Sequence, residues 1–223
     1  MWNISHPDNI SKDEYELYDA VCIGSRYYAD KLKEELSVPV YSLEQCTDTD
    51  LFYPEASDKK HNYIFVGNSR GVPRECVMWS VDRRLPIEIG GGGWEPFLGK
   101  DCPNVVGINV PNDRLPDLYR TSYATINDHW DDMLKYQFIN NRIFDSVACG
   151  LPVITDYCED LYKIFGDNIL YYRNEEEFRQ CILKLEDNYP EIKKNTLSMW
   201  DMIKKEYSFE ARAKQLLDIV KNN

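Results

Sequence analysis

Apolar and polar positions alternate in blocks along the chain, so that short strand-like runs are separated by helix-like stretches from residue 19 almost to the end. Residues 19–24 predict a strand, Ser25 a helix cap, 26–36 a helix and 38–43 a second strand. The pattern then lapses. Residues 44–62 are polar, contain Pro54 and the charged run EASDKKH, and read as a linker. Beyond it the alternation resumes, with strands expected at 63–66, 86–89, 105–110 and 123–127, the glycine-bearing loops 67–71 and 90–93, and a helix beginning near Pro73. In residues 140–156, Ile143, Phe144, Val147 and Ala148 recur at helical spacing, Gly150 stands where a left-handed cap ends the helix, and 152–155 form a buried strand. Further on, 159–165 read as a helix, 168–172 as a strand, and 175–185 as a helix capped by Asn174 with Phe178, Ile182 and Leu185 on its face. From residue 191 the tail is helical and amphipathic.

Strands alternating with helices specify an α/β fold with a doubly wound, Rossmann-like parallel sheet. A complete unit of this kind begins near residue 55 and is preceded by a strand-helix-strand piece in residues 1–54. Such a piece cannot cover both faces of its sheet alone, and WNISHPD after Met1 reads as sequence from the middle of a domain. The chain is therefore expected to be the back part of a larger two-domain protein, with a sheet edge that self-association into a homo-oligomer could cover.

In an open α/β sheet the helix amino ends and strand carboxyl ends share one edge, and ligands bind there. Asn140, Asn141 and Arg142 fall on that edge, and Asp145 lies one turn further in. A helix cap accounts for one of these polar residues but not for all. The loop Gly67-Asn68-Ser69-Arg70-Gly71 follows a strand and precedes a helix whose first turn holds Arg74, which suits an anionic group.

The 223 residues carry a formal net charge of −12, which opposes nucleic acid and anionic membrane as partners. Any anionic ligand must be held by local cations. No apolar run reaches the roughly 18 residues of a transmembrane helix, and no signal-peptide pattern opens the chain, so a cytoplasmic location is expected. The seven cysteines are scattered without a C-x-x-C pair and read as reduced core residues, while His6, His61 and His129 lack metal-ligand spacing.

Taken together, FVGNSRGVPREC, GGGWEPF, NVPNDRLPDLYRTSYATINDHWDDM and FINNRIFDSVACGLPVITD resemble the nucleotide-sugar half of GT-B glycosyltransferases, in particular the CgeB-like branch of the group 1 enzymes. The likeness runs in order over residues 63–172, and Asp48 to Pro54 looks like the hinge between the two GT-B domains. The resemblance implies a donor site for a nucleoside diphosphate sugar. Its cofactor-binding set is Gly67, Asn68, Ser69, Arg70, Gly92, Trp94, Asn140, Asn141, Arg142 and Asp145, with Arg74 and His129 in catalytic roles. Asp145 stands where the family's ribose-binding acid does, although glutamate is usual there. The first acid of the family's pair falls on Gln137, an amide.

No cofactor or metal is expected beyond the donor itself. Asp48-Thr49-Asp50 matches the metal-binding Asp-x-Asp of another glycosyltransferase fold, but it lies in the hinge rather than after a strand. The expected activity is metal-independent hexosyl transfer to an unidentified glycan, lipid or protein acceptor, weak or absent in this chain alone. A non-catalytic nucleotide-sugar or partner-binding module stays open beside it. Plain alternatives also exist for single residues: Asp145 as a solvated helix residue, His129 as a structural histidine, Trp94 and Trp130 as packing, and the glycines at 90–93 as a turn. A receiver-like signalling domain is disfavoured, because the acidic cluster it needs is absent after Val66.

Overall fold

A computed structural model describes residues 1–58 and 62–222; part of the polar run at 55–61, with His61, lies outside the described residues. Nine strands form two parallel sheets among the described residues. β1 (Trp2–Asn3), β2 (Val21–Ile23) and β3 (Val40–Ser42) make a three-stranded sheet in that order. The larger sheet contains β4 (Tyr63–Val66), β5 (Ile87–Gly90), β6 (Val105–Gly107), β7 (Ala124–Asn127), β8 (Val153–Asp156) and β9 (Leu170–Tyr172). Its order is β6-β5-β4-β7-β8-β9. The strand order thus reverses between β4 and β7, which opens a crevice at their carboxyl ends.

β7 and β8 are buried along their whole length and β4 along most of it, which is why they read as continuous apolar runs rather than alternating ones. Helices cover both faces. On one side α3 (Glu75–Asp82) and α9 (Glu175–Ser198) close a cluster around Tyr63, Phe65, Val77 and Phe178. On the other, α5 (Leu115–Thr121), α7 (Asn141–Ala148), α8 (Glu159–Phe165) and α10 (Trp200–Glu206) close one around Ile64, Tyr119, Phe144, Leu161 and Ile203. The apolar stripe of α7 is buried as its spacing predicted, and Gly150 ends the helix at φ 64°. α4 (Glu95–Leu98) is a single short turn.

Three departures from the sequence expectation have clear causes. The first residues form β1 beside β2, where no strand was expected, because a two-residue strand carries too little pattern to read. The three-stranded sheet is also not left bare. Besides α1 (Lys12–Tyr15) and α2 (Arg26–Lys33), Met133 and Phe138 from the stretch around α6 (Asp131–Lys135) enter its core beside Val21, Ile23 and Leu32. Finally, α9 continues past residue 185, kinking at Asn188 just before Pro190, whose ring cannot sit against the preceding turn of a straight helix. Asn174 caps α9 by accepting from the Glu177 N–H at 2.9 Å.

The expected linker is held along its first half. Thr47 pairs with Ser208, and Arg212 of α11 (Phe209–Asn222) donates through Nε to the Glu44 carbonyl at 2.6 Å. All seven cysteines are free thiols, six of them buried. Among the described residues no helix is long and apolar enough to cross a membrane.

Candidate functional site

A cavity of about 380 Å³ lies in the crevice between β4 and β7. Its floor is Gly67, Asn68 and Arg70 after β4, Gly90 and Gly91 at the end of β5, and Asp128 to Trp130 after β7. The head of α7 supplies Asn140, Asn141 and Arg142, and the loop after β1 faces them with Ile4, Ser5 and His6. Backbone crowding shapes the floor. A Cβ on Gly91, at φ +142°, would lie 2.3 Å from the Gly67 carbonyl oxygen, and one on Gly67 would lie 2.6 Å from Arg142 Nη1.

Two arginines reach this crevice with different partners. Arg74 stands at the N-cap position of α3, without a side-chain capping hydrogen bond, and is 6 % exposed. Its guanidinium forks onto Asp128, with Nε donating to Oδ2 at 2.7 Å and Nη2 donating to Oδ1. Burial works against the Arg74 charge, yet the Asp128 carboxylate holds its pKa above the usual arginine value. Arg142 is different. Nη1 donates to the Val66 carbonyl at 2.5 Å and Nη2 to the Asp128 carbonyl at 3.2 Å, and among the described residues it forms no salt bridge. Burial pushes its pKa down, and nearby Arg74 adds to that while the Asp128 charge opposes it. Arg142 is thus a cation at a helix amino end, on a cavity wall, with carbonyl dipoles but no anion against it. An anionic group entering the cavity would meet it.

Arg70 is exposed, at φ 56°, with Nη1 3.0 Å from His6 Nε2 and its guanidinium 5.1 Å from the Trp130 ring centroid. It can reach a ligand from above. Asn68 lines the cavity while its side-chain oxygen accepts from the Gly92 N–H at 2.7 Å. Ser69 is fully buried and donates to the Gly93 carbonyl, so it staples two loops together rather than facing a ligand.

Four other predicted site residues have surroundings that differ from those expected. His129 is 7 % exposed, with Nδ1 2.6 Å from Asp156 Oδ1 and Nε2 accepting from the Asn140 N–H at 3.2 Å. That geometry assigns the proton to Nδ1 and leaves neither ring nitrogen for chemistry, so its expected catalytic role gives way to a structural one. Burial would raise the Asp156 carboxyl, but the His129 ring and the hydrogen bonds from His129 and Thr155 hold it below the usual range. Trp94 is 2 % exposed, packs edge-on to Phe65 and donates to the Gly67 carbonyl at 3.1 Å, which makes it core. Gly92 does not line the cavity; its neighbours Gly90 and Gly91 do. Asp145 is 4 % exposed and accepts from the Thr47 hydroxyl at 2.6 Å and the Asn141 amide at 3.1 Å. Thr47, in the stretch expected to be a linker, therefore covers it, and a ribose could reach it only by displacing Thr47. Burial pushes its carboxyl up to about 7 against those hydrogen bonds.

Gln137, at the position of the family's first acid, turns away from the cavity and accepts from the Asp160 N–H at 2.9 Å, at the start of α8. Asp48 caps its own turn by accepting from the Asp50 N–H at 3.0 Å, and among the described residues no group of three or more His, Cys, Asp or Glu could hold a metal.

The model of a family described as glycosyl transferase-like matches residues 74–218, well over half of the chain. The chain belongs to that family. No curated protein matches it in sequence. Among solved structures, sucrose-phosphate synthase from Thermosynechococcus elongatus superposes with a TM-score of 0.71 at 14 % identity, over 95 % of this chain and 60 % of that one. HepE of Anabaena, in complex with UDP and glucose, gives 0.75 at 10 % identity over 99 % and 70 %. T4 phage BGT, in complex with its UDP-glucose substrate, gives 0.62 at 20 % identity over 91 % and 62 %. These likenesses show the fold, a Rossmann-like half of GT-B. The chain spans about three fifths of the length of two of these relatives.

For a glycosyltransferase-like chain, three site features escaped the sequence. Asp128 and Asp156 lie inside quoted motifs, but their partners Arg74 and His129 identify their roles only in three dimensions. His6 enters the site from a segment with no pattern of its own.

Proposed function

We propose that this chain is the donor-binding part of a CgeB-like glycosyltransferase that moves a hexosyl group from a nucleoside diphosphate sugar to an acceptor hydroxyl without a metal. The unpaired Arg142 at the head of α7, on the wall of the switch-point cavity, carries this reading. The diphosphate lies against Arg142 and the first N–H groups of α7, with Arg70 closing from the opposite loop. Each charge-assisted hydrogen bond contributes roughly 1.5–3 kcal/mol and the helix end about 0.3–1 kcal/mol, enough to overcome the unfavourable net charge. Charge builds on the departing diphosphate during transfer, so the same fixed donors favour the transition state over the ground state. Arg74, expected to share that role, supports it indirectly by fixing Asp128.

Titration of the chain with UDP, GDP and dTDP, with and without EDTA, tests the proposal. Saturable, EDTA-insensitive binding of one nucleotide is expected, and no binding by folded protein would overturn it. A second reading, a nucleotide-sugar-binding module without turnover, is favoured by two observations: Gln137 caps α8, and Asp145 is sealed by Thr47. Product formation from a bound donor sugar separates the two.

A further inference from the structure

A second, larger cavity of about 870 Å³ adjoins the first. His6, Arg74, Asp128, His129 and Trp130 line both, so the two share one wall. The groove runs from that wall between the loop after β1, the start of α6, the start of α3 and the loops after β8 and β9. Its charge is one-sided. Asp8, Glu75, Asp131 and Asp132 line it in addition to Asp128 and Asp156. The cations there are already engaged, Arg74 by Asp128 and Arg173 by Glu177 at 3.5 Å. Glu75 and Asp131 are exposed and form no salt bridge among the described residues. Both stand in the first turn of a helix, where a carboxylate also suits the helix dipole. That accounts for their presence but not for the lack of free cations around them.

Aromatic rings break the acidic lining. Trp79, Trp130 and Tyr157 are each partly exposed on this groove. Tyr157 packs edge-on to Tyr171 and at a tilt to Tyr162, and the Arg173 guanidinium lies over one face of its ring, 3.9 Å from the centroid. Flat faces of this kind pack against the C–H face of a sugar ring, while surrounding carboxylates accept its hydroxyls.

We infer that this groove binds the acceptor, and that the acceptor is an uncharged or cationic oligosaccharide rather than a phosphorylated or carboxylated one; this rests on the donor assignment of the adjoining cavity. An acceptor seated there places its end at the Asp128 wall, beside the donor cavity. Asp8 pairs with Lys135 at 3.9 Å and Asp132 lies 3.4 Å from His6 Nδ1, so the repulsion of anionic acceptors falls chiefly to Glu75 and Asp131.

Saturation-transfer NMR on the full chain, with and without UDP, tests the inference with three probes of equal length: maltotriose, a glucosamine trimer and a galacturonate trimer. The first two are expected to bind, with the galacturonate trimer weaker by at least about tenfold. Reversing charge with Glu75→Lys and Asp131→Lys together is expected to bring that ratio near one, and Tyr157→Ala to weaken all binding severalfold. Neither change should alter UDP affinity. Equal binding of all three probes, no binding of any, or a ratio untouched by charge reversal would each overturn the groove assignment. Failure of UDP to bind the folded chain strikes the donor assignment instead, and the UDP-free arm still reports on the groove.

Discussion

Arg74 and Arg142 stand at the amino ends of α3 and α7 and border the same crevice, but Arg74 is locked in a bidentate pair with Asp128 while Arg142 donates to carbonyl oxygens and lies over the Phe65 ring. The difference teaches that an arginine at a helix head is no anion site by virtue of its position. What decides is whether the protein already supplies the anion. The carboxylates show the same contrast from the other side: Asp128 has an arginine fork, whereas Asp145 has only a hydroxyl and an amide, and burial drives it up to about 7.

The largest effect expected from this contrast is on stability. Arg74→Ala strands Asp128 in a mostly buried site and should destabilise the chain by about 3–5 kcal/mol in denaturant unfolding, with little change in nucleotide affinity at temperatures where it stays folded. Unchanged stability would mean that the Arg74–Asp128 pair does not organise the wall.

Asp145 comes next, and the sign can be worked through. Its folded pKa of about 7 exceeds the unfolded value near 3.9, so between those values the folded state holds a proton that the unfolded state has released. Its stabilising contribution is complete below about pH 4 and is lost as pH rises through about 7, a span worth up to about 4 kcal/mol. Asp145→Asn should flatten that part of the stability–pH profile, and an unaltered profile would show that Asp145 stays ionised beneath Thr47.

On nucleotide binding, Arg142→Ala should weaken UDP about ten- to a hundredfold, the loss of roughly one charge-assisted hydrogen bond or slightly more, and Arg142→Lys should recover part of it. Arg70→Ala should cost only about two- to fivefold, since an exposed cation is screened by water and salt. An effect of Arg70→Ala larger than that of Arg142→Ala would place the diphosphate on the loop rather than on the helix.

The sheet was legible because its strands are buried on both faces: Tyr63–Val66 and the helix Glu159–Phe165 have the bounds their patterns predicted, and Asn174 caps as its residue type suggests. The position of the candidate cavity was legible too, since the glycine loop and the head of α7 fall at a crevice that strand order alone creates. What local pattern could not carry is partnership across the chain. Asp128 lies 54 residues from Arg74, and Thr47 lies 98 residues from Asp145. The first contact occupies the Arg74 guanidinium, which still lines the cavity, and the second covers Asp145, while both sequence motifs stay intact. Asp156 occupies the His129 ring in the same way, 27 residues away. Ser69 and Trp94 were misplaced for a simpler reason: loop residues beside a glycine turn can face inward, and these two hold the turn together.

The most direct test of the central claim is one calorimetric series, UDP titrated into the native chain, Arg74→Ala and Arg142→Ala at a temperature where all three are folded. The account predicts near-native affinity for Arg74→Ala and a loss of about ten- to a hundredfold for Arg142→Ala. Native affinity in Arg142→Ala with binding lost in Arg74→Ala would contradict it, and would assign the diphosphate to the arginine that Asp128 holds.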